Sequence, residues 1–121
     1  MKIALLIMAP EDSGRALHIA QAMARKNTLG RIFFYQRGVE QLNTNALPAS
    51  GASLAQQWSE FLAANPMNAI ACVTSALSAG VLDATQADKH GRAATLARGA
   101  ELGGLGQLVD MLENDKVVTL K

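Results

Sequence analysis

Short unbroken apolar runs, separated by segments of helical period, constrain this chain more than any other feature. Ile3-Ala4-Leu5-Leu6-Ile7-Met8 is continuous instead of alternating, the pattern of a strand covered on both faces. Ile32-Phe33-Phe34-Tyr35, Ala69-Ile70-Ala71-Cys72-Val73 and Val117-Val118-Thr119-Leu120 read the same way, and Glu101-Leu102 is a brief further strand. Between the first two runs, Pro10 stops the strand and Asp12 or Ser13 caps a helix running to about Asn27, with Gly30 closing it. Ala16, Ala20, Met23 and Ala24 share one face of that helix. Ser53 caps a second helix, on which Leu54, Trp58, Phe61 and Leu62 recur at helical spacing before Pro66. A short helical turn spans 74–79 and ends at Gly80, a weaker helical stretch broken by Gly91 spans 84–97, and Leu105, Leu108, Val109 and Leu112 mark a last helix. Residues 37–52, rich in Gly, Asn, Pro and Ser, read as a long surface loop.

Strands alternating with helices pair in parallel through crossover connections, which puts helices on both faces of the sheet. The expected fold class is therefore α/β: a three-layer α/β/α domain with a mostly parallel five-stranded sheet, one domain over residues 1–121. Half the residues are hydrophobic and 17% are charged, enough apolar side chain to offset the entropy of ordering. The net charge of +1 and the 4% aromatic content supply neither a basic footprint nor a stacking platform, so direct nucleic-acid binding is not expected. No stretch approaches the ~20 apolar residues that span a bilayer, and Pro10-Glu11-Asp12 ends the first apolar run where a signal peptide would be cleaved. A soluble, cytoplasmic protein with no membrane partner is the expectation.

In open parallel sheets, sites form outside the carboxyl ends of the strands. Four places qualify: 10–14, 36–38, 72–75 and 103–106. Glu11-Asp12 resembles the acidic pair of phospho-receiver domains, but Cys72-Val73-Thr74 stands where the phosphate-accepting aspartate would be needed, so the pair reads better as a helix start. Gly103-Gly104-Leu105-Gly106 opens a helix without a Walker lysine and fits a closely packed turn better than an anion loop. His18 and His90 have no ligand partners at metal-binding spacing, so a metal site is not expected. Cys72 is the sole cysteine, which excludes an intramolecular disulfide. Its apolar strand is an ordinary setting for inert core filling. Its position at the strand's carboxyl end, ahead of Thr74-Ser75 and a helix start, equally suits a thiolate that accepts and passes on a group. The residues alone leave both readings open.

Phe33-Phe34-Tyr35-Gln36-Arg37-Gly38-Val39, Pro48-Ala49-Ser50, Cys72-Val73 with Ala76-Leu77, Gly80-Val81-Leu82-Asp83, Gly104-Leu105-Gly106-Gln107-Leu108-Val109 and Lys116-Val117-Val118 together resemble the TusD/DsrE family of sulfur-relay proteins. The likeness runs from about residue 31 to the C-terminus. It implies an α/β/α fold in which Cys72 holds a persulfide and hands sulfur to a downstream carrier protein, with no cofactor. It also implies assembly with copies of itself or with related subunits, TusB/TusC-like or DsrF/DsrH-like. In one branch the sulfur travels toward 2-thiouridine at the tRNA wobble position; in the other the complex serves dissimilatory sulfur oxidation. Ser78-Ala79 stands where the family carries a pair of arginines, which leaves the helix terminus to steady an anionic persulfide. The competing reading is a non-catalytic assembly subunit in which Cys72 is incidental.

Overall fold

The computed structural model describes residues 2–10, 14–45 and 53–121. Its strands are β1 (Ile3–Ile7), β2 (Leu29–Phe34), β3 (Ala69–Cys72), β4 (Glu101–Gly103) and β5 (Lys116–Leu120), and they form one sheet in the order β4-β3-β2-β1-β5. All four pairings are parallel. The helices are α1 (Arg15–Arg25), α2 (Leu54–Ala64), α3 (Val73–Ala79), α4 (Ala84–Lys89) and α5 (Leu105–Asn114). The fold class is the one expected, with every strand pairing of the sheet parallel.

Alternate side chains of the strands build two cores. Leu5, Ile7, Ile32, Phe34, Ala69 and Ala71 point to one face, where Ala16, Leu17 and Ala20 of α1 and Ala55, Trp58, Phe61 and Leu62 of α2 close over them. Phe34 and Phe61 both meet the indole of Trp58 edge-on, with ring centroids 5.1 and 5.8 Å away. Ala4, Leu6, Phe33, Ile70 and Cys72 point to the other face, beneath Leu108 and Met111 of α5. Helix α5 carries the chain from β4 at one edge to β5 at the other, crossing that second face. Arg31 of β2 ties it down, donating from Nε to Asp115 at 2.5 Å and from an Nη to Asp110 at 3.0 Å.

Several boundaries differ from the sequence expectation. Gly14 takes the N-cap position of α1, while Asp12 and Ser13, the expected caps, lie outside the described residues. The helix ends at Arg25, and Asn27 at φ 55° makes the left-handed step expected of Gly30. Gly30 sits inside β2, where an added Cβ would lie 3.2 Å from Lys2 Cβ. The expected loop 37–52 begins as a 3₁₀ helix, Gln36–Leu42, with Val39 and Leu42 fully buried. It folds inward because Gln41, also fully buried, bridges two partners: Nε2 donates to the Ala9 carbonyl at 2.9 Å, and Oε1 accepts from Trp58 Nε1 at 3.0 Å. The helical stretch expected over 84–97 stops at Lys89, since Gly91 adopts φ 63°. Beyond it, buried Thr95 turns the chain back: its Oγ1 donates to the Gly80 carbonyl at 2.6 Å and accepts from Leu82 N at 2.9 Å.

Candidate functional site

Strand β3 ends at Cys72, and α3 begins at the next residue with Cys72 as its N-cap. Val73, expected in the strand, is thus the first helical residue. The unpaired N–H groups of the first turn of α3 adjoin Cys72, an arrangement that suits negative charge. The cysteine side chain makes no capping hydrogen bond. Cys72 is 2% exposed, on the face shared with Phe33, Ile70, Leu108 and Met111.

Register defines what lies beside it. Ile7 pairs with Phe34, Phe34 with Ala71, and Cys72 with Gly103. One residue further along, Met8, Tyr35, Cys72 and Gly103 form the last row at the carboxyl ends of the strands. Met8 and Tyr35 are half-buried and pack on the same cluster as Cys72. Gly103 is a deliberate notch in this row. A Cβ there would stand 1.8 Å from Gln107 Oε1 and 2.6 Å from Ile70 Cγ2, so the carboxamide of Gln107 occupies the space beside the cysteine.

The loop after β2 closes on the same end. Gln36 holds φ 50°, an uncommon conformation for a side-chain-bearing residue, and its N–H donates to Ser75 Oγ at 3.1 Å. That bond ties the loop to the first turns of α3. Gly38 allows the approach: a Cβ would lie 1.9 Å from the Ile7 carbonyl oxygen.

Three of the four expected places, 36–38, 72–75 and 103–106, therefore converge at one end of the sheet. Glu11 and Asp12, in the fourth, lie outside the described residues. Of the glycines at 103–106, Gly103 is closely packed as expected, whereas a Cβ on Gly104 or Gly106 would meet nothing within 4 Å. His18 is exposed on α1, and exposed His90 lines a cleft with Leu77, Leu82 and Arg92. Among the described residues, no group of His, Cys, Asp or Glu side chains is placed to hold a metal. Ser78 is exposed on the last turn of α3 and puts no cation near the sulfur. The roles of Gln107 and Thr95 were not read from the sequence. A glycine followed at helical spacing by glutamine was the available signal for the first.

The model of the DsrE/DsrF-like family matches residues 1–120. The chain belongs to the DsrE/DsrF-like family. It is 35% identical over 125 residues to a protein of Pseudomonas aeruginosa named sulfurtransferase TusD homolog, an alignment covering 98% of this chain and 95% of that one. Its fold matches the crystal structure of the ychN protein from E. coli with a TM-score of 0.71, at 21% identity, over 99% of this chain and all of the other. Cys72 lies in the row at the carboxyl ends of β1–β4, beside Met8, Tyr35 and Gly103. No helix among the described residues is long and apolar enough to cross a membrane.

Proposed function

We propose that this protein is a sulfur carrier that takes a persulfide onto Cys72 and passes it to a partner protein, in the relay leading to 2-thiouridine at the tRNA wobble position. The general activity, sulfur transfer, is supported by the family and by the relative named as a sulfurtransferase. The observation that carries the finer reading is the position of Cys72, at the carboxyl end of β3 and the N-cap of α3. Its thiolate attacks the outer sulfur of a donor persulfide. A bond forms between Cys72 Sγ and that sulfur, the donor's own S–S bond breaks, and the donor leaves as a thiolate. The exchange is redox-neutral and needs no cofactor.

The reading includes a single domain over 1–121, a cytoplasmic setting, and assembly with related relay subunits or with further copies. Leu105, Val109 and Leu112, about half exposed on one side of α5, support assembly by offering apolar surface beyond what a lone domain needs. The experiment is intact-protein mass after incubation with a cysteine desulfurase and cysteine: gain of one sulfur atom on Cys72 is expected. A second reading, a non-catalytic assembly subunit, draws on the 2% exposure of Cys72 in an apolar cluster. An unchanged mass favours it.

A further inference from the structure

We infer that the side-chain amide of Gln107 is the hydrogen-bond donor that holds the carried sulfur on Cys72, an inference resting on the carrier reading above. Gly103 is the direct parallel partner of Cys72, so a Cβ built on it marks the neighbouring side-chain position on the same sheet face. Neighbouring strands lie about 4.8 Å apart, which sets the separation of that point from Cys72 Cβ. The Gln107 carboxamide fills the point, with Oε1 1.8 Å and Cδ 2.9 Å from it. Glycine is required there because any side chain would displace the amide. A persulfide extends Cys72 by one further S–S bond of about 2.05 Å, which brings the outer sulfur within reach of the amide.

Gln107 joins an exposed helix surface to a buried thiol. Its own residue is exposed on the first turns of α5, while Cys72 is 2% exposed beneath the same helix. Its side chain makes no hydrogen bond to another described residue, so both ends of the amide are available. The two ends interchange by a half-turn about the last side-chain bond, which presents Nε2 to the anion. The donor is neutral. It steadies a persulfide anion without the cation that Ser78-Ala79 does not provide, and it does not hold the sulfur as tightly as an ion pair would. Among the described residues, the titratable group in the row besides Cys72 is Tyr35. Glu101 on β4 and Asp110 and Glu113 on α5 are exposed carboxylates.

The test loads the full protein with glutathione persulfide and follows alkylation of the outer sulfur by iodoacetamide against pH, read by intact mass. A donor to an anion is worth about one unit in its titration midpoint. Gln107→Leu raises the midpoint by about one pH unit, and Gln107→Glu, which adds a like charge, raises it further. Thermal midpoints stay at the wild-type value, because the residue is on the surface; this separates a charge effect from loss of structure. Equal midpoints in wild type and both variants, with sulfur loaded in all three, overturn the role of Gln107 and leave sulfur carriage standing. A shift in Tyr35→Phe as large as that in Gln107→Leu overturns it by assigning the donor to the phenol. Wild-type protein that takes no sulfur from the donor overturns both readings.

Discussion

Replacing Gln41 by leucine isolates the bond network that holds the 3₁₀ segment behind the cysteine. In the wild type, Gln41 satisfies the Ala9 carbonyl and the Trp58 indole N–H, and Gln41, Trp58 and Ala9 are 0, 0 and 2% exposed. Leucine leaves both groups buried without partners, at about 1–3 kcal/mol each. It returns roughly 1–2 kcal/mol through the apolar surface it buries in place of an amide. A net loss of about 2–4 kcal/mol follows, a large part of the ~5–15 kcal/mol that holds a domain together. In urea denaturation the midpoint falls while the slope stays constant. Trp58→Phe alone removes the donor and leaves Gln41 Oε1 unpaired, so the double variant loses less than the two single losses combined. A Gln41→Leu loss below ~1 kcal/mol, or strict additivity in the cycle, refutes the network as the reason this segment folds inward.

Gly38→Ala drives a Cβ to 1.9 Å from the backbone oxygen of Ile7, so the β2 loop must shift; a loss of about 3 kcal/mol or more in thermal unfolding is expected. Arg31→Met removes both carboxylate contacts of β2 with the α5–β5 end, and because the pair is partly exposed the loss is about 1 kcal/mol. The hydrogen bond that Arg31 donates to Asp115, ahead of the opposing burial, raises the Arg31 pKa above its ordinary value. The stability it contributes is therefore complete below that value and lost only in strong alkali, so the Arg31→Met deficit measured by denaturation is the same at about pH 6 and pH 9. Cys72→Ser keeps the fold and the binding of partner subunits but abolishes sulfur loading in the mass assay; restored tRNA thiolation by this variant in a deletion strain would refute the carrier reading.

The sequence by itself determined the layers, the strands and the candidate nucleophile, for reasons local to the chain. Continuous apolar runs such as residues 3–8 need cover on both faces, and helical spacing through Trp58 and Phe61 supplies that cover; no distant partner has to be known. The resemblance to sulfur-relay proteins was legible from Phe33-Phe34-Tyr35-Gln36-Arg37-Gly38 and Cys72-Val73, and the family match bears it out. The inward fold of residues 36–42 was not legible, because its cause is a buried amide whose partners are 32 and 17 residues away. Gly91 marked the break after α4, but the path beyond it was hidden, since Thr95 satisfies groups at Gly80 and Leu82 that only the turn brings near. Tertiary structure alone decided the neighbours of Cys72. Strand register sets Gly103 beside it, and the crossing of α5 over that face delivers Gln107 into the space a side chain would have filled. Register and crossover are fixed by burial summed over the whole sheet, a quantity that no short segment carries.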